Sequence, residues 1–414
     1  MCYNKLSLFY IEGNFFMSKQ KKWTRPRHRV VRNIAYWVLY PYCRIKYGIK
    51  IEKFTAQQKR PYLILYNHQT AFDQFFVGCA FSGPIYYVAS EDLFSKDWVS
   101  SLIRYIVAPI PIKKQATDIK AVMNCLRVAS EGGTIAIAPE GNRTYSGKTE
   151  YMSSAIAPLA KKLGLPIAIF HIRGGYGVHP RWSDGLRKGK MQAYVHKVID
   201  PEDVKKMSSD ELYQVIQKEL FIDEGQVTGE FLSQKRAEYL ERAMYVCPDC
   251  GLSTFLSKGN ECSCLKCGKT ILYNTDKTLS GKNCEFPFKF VTEWYDYQKK
   301  FVNSLDVTKF TQDALYCDKA SFYEIIIYKT RNLLFKDVNV LLYGNRIVIG
   351  EQIFAFDDIS ALSVVGRNKL NIYVGKQLFQ LKGDEHFNAL KYANIFYRYK
   401  NIVGGNPDGE FLGL

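Results

Sequence analysis

The sequence has no apolar run near the roughly 20 residues that an α-helix needs to cross a bilayer. The longest apolar stretch near the N-terminus, Ile34 to Cys43, is far shorter. The chain therefore reads as soluble or membrane-peripheral. It also lacks the even, dispersed cysteines of a secreted disulfide framework. Eleven are present, and five crowd between Cys247 and Cys267, which points to reduced surroundings and a metal site. Residues 1–16 have no small-residue cleavage site, and Glu12 and Asn14 interrupt their apolar stretch, which argues against a signal peptide. A strongly basic segment opens at Met17, the expected start of the chain. Acidic residues are scarce: 40 Asp and Glu face 57 Lys and Arg, leaving a formal charge of +17. That balance suits an anionic partner, whether membrane surface, nucleic acid or phosphorylated substrate. What remains is ample for two or three domains with a large core, since 47% of the 414 residues are hydrophobic.

The chemistry concentrates in Asn67-His68-Gln69-Thr70-Ala71-Phe72-Asp73. This stretch follows Tyr62-Leu63-Ile64-Leu65-Tyr66, which reads as a buried strand. A histidine at a strand end backed by a carboxylate forms a general-base pair: the carboxylate fixes the tautomer and stabilises the imidazolium. Five residues of separation do not share one helix face, so the turn must be irregular or His68 must precede the helix. A second segment, Pro139-Glu140-Gly141-Asn142-Arg143-Thr144, also follows a strand-like run, Thr134–Ile137. Strands and helices alternate through this region, with a helix from Asp118 to Ser130, one over 153–163 ended by Gly164, and a Ser208…Glu211 capping box. Alternation of this kind predicts an α/β domain with a mostly parallel sheet flanked by helices, its site at the carboxyl ends of strands.

Four blocks in order resemble the PlsC-type glycerolipid acyltransferases, the family of the 1-acylglycerol-3-phosphate acyltransferases. They are His68 with Asp73; Ile110-Pro111-Ile112-Lys113-Lys114, with Lys114 at the family's Arg and Lys113 at its Asp; Pro139–Thr144, with Asn142 at the family's Thr; and Leu165-Pro166-Ile167. The resemblance spans about residues 30–220. It implies the glycerolipid acyltransferase fold and transfer of an acyl chain from a CoA or acyl-carrier-protein thioester to the hydroxyl of lysophosphatidate or a related lysophospholipid. His68 would be the general base and Asp73 its orienting carboxylate, with no acyl-enzyme. Arg143 is the first choice to grip the acceptor phosphate, helped by Lys114 and Lys113. Glu140 would brace the loop through backbone N–H groups or Arg143, and Gly141 would let it approach ligand. His171, His179 and His196 follow no ligand spacing and read as structural. The rival reading is a non-catalytic lipid- or protein-binding scaffold on the same fold.

The flanks carry other signals. Lys19, Lys21, Lys22, Arg25, Arg27, Arg29 and Arg32 form a basic arm running into an amphipathic, aromatic helix over 30–40 that Pro41 should stop. This is the pattern of an interfacial anchor, placing the protein at the cytoplasmic face of the cell membrane. Nucleic acid is disfavoured, because no basic–aromatic strip accompanies the cysteines. Cys247-x2-Cys250-Gly251 and Cys264-x2-Cys267-Gly268 predict a structural zinc ribbon, with Cys262 a substitute ligand. Short β runs from Val338 to Leu381, Gly-containing turns and a helix over 386–399 predict a small PH-like β-barrel with a C-terminal helix, for lipid headgroups or protein. The expected divisions are thus 1–58, 59–245, 246–284 and 285–414.

Overall fold

The computed structural model describes residues 22–57, 61–94, 97–112, 118–227, 229–326 and 330–413. The expected start at Met17, the outer arm residues Lys19 and Lys21, and the candidate cations Lys113 and Lys114 lie outside the described residues.

The chain opens with α1 (Pro26–Tyr47) and β1 (Ile49–Ile51), then β2 (Leu63–Tyr66), α2 (Asp73–Ala80), β3 (Ile85–Ser90), α3 (Asp97–Ile106), β4 (Ile110–Ile112), α4 (Ile119–Ser130) and β5 (Thr134–Ile137). There follow α5 (Ile156–Leu163), β6 (Ile167–Arg173), the single turn α6 (Gly175–Val178), β7 (Met191–Ile199), α7 (Pro201–Lys206) and α8 (Ser209–Leu220). The seven strands form one sheet in the order β1-β7-β6-β2-β5-β3-β4, parallel throughout except where β7 runs antiparallel to β6. The expected parallel α/β sheet is present.

The unbroken apolar run of β2 follows from covering both sheet faces. Successive side chains point to opposite sides. Ile64 and Tyr66 pack with α1 and α2, while Leu63 and Leu65 pack with α4, α5 and α8. The flanking helices end as their sequences dictate. Asp118 caps α4 by accepting from the Ala121 N–H, Gly164 closes α5 in the left-handed region, and Ser208 and Glu211 form the capping box of α8.

Pro41 does not stop α1, contrary to expectation. The helix starts with Pro26 in its first turn and runs through Pro41 to Gly48, whose φ of 61° supplies the terminating left-handed turn. An internal proline costs a helix about 3 kcal/mol. The buried Cys43 and Tyr47 beyond it, packed on the α2 side of the core, offset that cost.

The second half is built of β8 (Val246–Cys247), β9 (Gly251–Leu252), β10 (Phe255–Lys258), β11 (Glu261–Cys264), β12 (Thr270–Tyr273), β13 (Leu279–Gly281) and α9 (Val291–Ser304). A curled antiparallel half-barrel follows: β14 (Tyr316–Ile326), β15 (Thr330–Leu342), β16 (Arg346–Ile349), β17 (Gln352–Ala355), β18 (Ile359–Val365), β19 (Lys369–Val374) and β20 (Gln377–Gly383), ordered β17-β16-β15-β14-β20-β19-β18, with α10 (Ala389–Val403) against it. The turns at Gly350, Gly366 and Gly375 fall where the sequence signals them. The sequence reading assigns no element to α3, β7, α9 or β14. In α9 the helix is held by tertiary bonds: Trp294 Nε1 donates to the Val246 carbonyl, and Gln298 accepts the Tyr245 N–H and donates to the Ala243 carbonyl.

Candidate active site

The site is assembled from two parallel strands that lie side by side, β2 and β5. His68 sits in the loop between β2 and α2, outside any helix, as the five-residue spacing requires. Asp73 is the first residue of α2 and fully buried. Its Oδ2 lies 2.8 Å from His68 Nδ1. The same carboxylate accepts the backbone N–H groups of Gln69 and Thr70 and the Thr70 hydroxyl, at 2.7–3.0 Å. A buried carboxylate needs such donors to replace water. Here they also fold the turn that brings His68 back onto Asp73. Asn67 pins the strand end by exchanging two hydrogen bonds with the backbone of Ile172 on β6. A proton on Nδ1 satisfies this contact and makes Nε2 the unprotonated ring nitrogen of His68.

The two motif loops are bonded directly. Glu140 accepts the His68 N–H at 2.8 Å, and the Thr144 N–H donates to the His68 carbonyl. Glu140 thus braces the loop through a backbone N–H. Burial pushes its carboxyl up to about 8, and the nearby Asp73 adds to the shift. Gly141 turns the chain at a φ of 69°. Arg143 is half-buried, and no ion pair with a carboxylate is present for it among the described residues. Its Nη1 is buried without a hydrogen-bond partner among the same residues. Burial, then the charges of Arg181 and Arg367, lower its pKa to about 10, while Asp73 works the other way. Arg143 and Asp73 therefore lie within each other's field, and His68, Asp73, Glu140 and Arg143 share one location.

The histidines sort as follows. His171 bonds the Glu219 carbonyl at 2.7 Å and stacks on His196, with burial lowering its pKa to about 4. The segment around Gly174 and Gly175 forms a wall against the motif, since a Cβ on Gly175 would meet Gln69 at 2.8 Å. Three residues near the site escape the sequence reading. Arg181, almost fully buried, donates to the Arg143 carbonyl at 2.8 Å. His179, read as structural, and Arg367 are 2.8 Å apart. They are separated by 188 positions, and no local pattern marks such a pair.

The four cysteines of the ribbon converge. The sulfurs of Cys247, Cys250, Cys264 and Cys267 lie within 4.8 Å of one another, and Cys247 Sγ and Cys267 Sγ are 3.8 Å apart. Tetrahedral zinc with Zn–S bonds of about 2.3 Å requires sulfurs about 3.8 Å apart, so the donor set fits. Gly251 and Gly268 take φ values of 68° and 73°, the turns that let each pair converge. Cys262 is buried outside this set.

Residues 48–172 match the acyltransferase family model. Over 199 residues the chain is 21% identical to a chloroplastic 1-acyl-sn-glycerol-3-phosphate acyltransferase of Brassica napus, covering 47% of this chain and 56% of that one. Over 181 residues it is 23% identical to a 1-acyl-sn-glycerol-3-phosphate acyltransferase of Borreliella burgdorferi, covering 42% and 71%. The chain thus spans little more than half the length of the Brassica relative. A solved structure of the PlsC lysophosphatidate acyltransferase of Thermotoga maritima is 22% identical and covers 46% of this chain and 74% of its own, at a TM-score of 0.37. The match to the acyltransferase family thus falls on residues 48–172, the part of the α/β core that carries the His68 and Glu140 loops.

Proposed function

We propose that this protein is a membrane-peripheral acyltransferase that moves an acyl chain from a CoA or acyl-carrier-protein thioester to the free hydroxyl of lysophosphatidate or a related lysophospholipid. The observation that carries this reading is the 2.8 Å bond between His68 Nδ1 and a buried, fully bonded Asp73, set beside Arg143. The lipid hydroxyl attacks the thioester carbonyl while His68 Nε2 takes its proton. Collapse of the tetrahedral intermediate breaks the C–S bond, and the imidazolium returns the proton to the leaving thiolate. Asp73 stabilises the imidazolium in between. Arg143 binds the acceptor phosphate. Lys113 and Lys114 keep their proposed place as further phosphate cations on the strength of the second motif alone.

Access from a membrane is supported by two helices. On α1, Val30, Ile34, Trp37, Val38 and Ile45 are all more than half exposed and recur at helical spacing, among the exposed cations Arg29, Arg44 and Lys46. The opposite face, with Cys43 and Tyr47, packs on the domain. On α3, Trp98, Leu102 and Tyr105 form a second exposed stripe, tied to α1 where Arg27 donates to the Tyr105 carbonyl and covers its ring. Phe72, one residue before Asp73, contacts the rings of Tyr42 and Tyr47 on α1. An acyl chain held at this surface would thus reach the site past aromatic side chains. No helix among the described residues is long and apolar enough to cross a membrane. The four-cysteine cluster is proposed to hold structural zinc. Four thiolates fill the tetrahedron and leave no open position for catalysis.

The test is to incubate the protein with acyl-CoA or acyl carrier protein and a panel of lysolipids, and to identify products by mass spectrometry. Phosphatidate from lysophosphatidate is expected. A panel in which no acceptor gains an acyl chain would refute the reading and favour the scaffold.

A further inference from the structure

The half-barrel touches the acyltransferase domain at the motif loop. Arg181 acts as the rivet: one guanidinium nitrogen donates to the Arg143 carbonyl, and two others reach the Val364 and Gly366 carbonyls at the end of β18. The turn so fixed is Gly366-Arg367-Asn368, with Gly366 at a φ of 64°. It delivers Arg367 to the acyltransferase domain. Arg367 Nη2 donates to His179 Nε2 at 2.8 Å, and its Nη1 pairs with Asp184 at 2.8 Å. Asp184 is already held by both terminal nitrogens of Arg242.

Two features of this cluster suit a bound anion. The first is charge. Arg181 and Arg367 both lie in the field of Arg143, and Asp184 is shared between Arg367 and Arg242. Asp73, which also lies in the field of Arg143, is committed to His68. Among the described residues, Arg143 and Arg181 have no ion pair with a carboxylate. The second is unpaired donors. Because His179 Nε2 accepts from Arg367, its proton sits on Nδ1. Among the described residues, both that atom and Arg143 Nη1 are buried without a partner. Burial, then the charges of Arg367 and Arg143, lower the His179 pKa to about 3, which keeps it neutral. Surplus positive charge with orphaned N–H groups is what an anion's oxygens would satisfy. Arg367 has five N–H donors and retains some for a ligand, and its side chain is 30% exposed.

We propose that Arg367, supplied by the β18–β19 turn, binds the phosphate of the lysophospholipid acceptor together with Arg143 and His179, so that the C-terminal half-barrel completes the acceptor site. This rests on the acyl-transfer reading of His68. The C-terminal region is thereby a specificity element for acceptors carrying a phosphate monoester.

The experiment compares full-length wild type with Arg367→Ala and Arg367→Lys. KM is measured separately for lysophosphatidate and for acyl-CoA, turnover of uncharged monoacylglycerol is followed, and the melting temperature is recorded. Arg367→Ala should raise the KM for lysophosphatidate about 10- to 100-fold, leave the KM for acyl-CoA and any monoacylglycerol turnover unchanged, and be partly rescued by Lys. A KM for lysophosphatidate that does not move would overturn the proposal. So would equal losses with both substrates alongside a lowered melting temperature, since these mark a purely structural contact. Calorimetry with short-chain 1-hexanoyl-glycerol 3-phosphate decides the matter independently of turnover. Tighter binding to wild type than to Arg367→Ala supports the site even if no acyl transfer is found, whereas equal binding, or none to wild type, contradicts it.

Discussion

At the scale of single residues, Glu140 ties the two motif loops together through the His68 N–H. Its carboxyl is buried, bonded to the His68 N–H and raised to about 8. An acid whose pKa is higher folded than unfolded keeps its proton in the native state while the unfolded chain loses it. Folding stability should therefore fall as pH rises from about 4.5 to about 8, and level off above. Glu140→Gln keeps an oxygen for the His68 N–H and removes the titration. Its melting temperature should change less than that of wild type between pH 5 and pH 8, with the variant more stable at the upper end. A steeper loss in the variant would mean that Glu140 is ionised in the fold. His68 and Asp73 were readable in the sequence because strand end, turn and helix start are contiguous, so a local pattern carries the geometry. Arg181, His179 and Arg367 were not, because their meaning arises only when a turn of a distant sheet reaches the motif loop.

At the scale of elements, α1 has two apolar faces with different fates. Tyr36, Leu39, Tyr40, Cys43 and Tyr47 pack on the domain, and the Val30–Ile45 stripe points outward. The helical spacing of its apolar residues was legible, but its end was not. A helix packed along its length tolerates a proline that an isolated one would not. The outward stripe predicts binding to anionic vesicles that salt weakens only in part, since apolar burial and charge both contribute. The double variant Ile34→Glu/Trp37→Glu alters only exposed positions. It should keep its melting temperature and lose vesicle binding by about tenfold or more in co-sedimentation. Unchanged sedimentation would remove α1 as the anchor. The β runs of the half-barrel were legible from turn glycines and alternation, whereas β14 and α9 were not, because their pairing and tertiary bonds come from distant segments.

At the scale of the whole molecule, the ribbon and half-barrel are not appended beads. One apolar cluster joins Tyr145 and Trp182 of the acyltransferase domain, Phe255 and Ile271 of the ribbon, Trp294 of α9, and Phe322, Leu362 and Phe396 of the half-barrel and its helix. The Thr292 hydroxyl donates to the Ser146 carbonyl, and Lys299 pairs with Glu150, tying α9 to the chain just past Arg143. The ribbon, read in the sequence from its cysteines alone, leans on this common core. Cysteine spacing pointed to the four sulfurs that converge, but nothing local revealed the shared core. About one zinc per chain is expected by elemental analysis, and Cys264→Ser should lose it. Because the core is shared, that variant should lower the melting temperature of the whole protein instead of melting the ribbon separately. Metal-free protein with unchanged melting would show that the cysteines hold no structural ion.

The chemistry of the site reduces to whether His68, oriented by Asp73, deprotonates a lipid hydroxyl. The most direct measurement is the initial rate of phosphatidate formation from lysophosphatidate and acyl-CoA by wild type and His68→Ala, each checked for the same melting temperature. The account predicts a loss of about 10²- to 10⁴-fold in turnover with folding intact. A variant that retains the wild-type rate would contradict it.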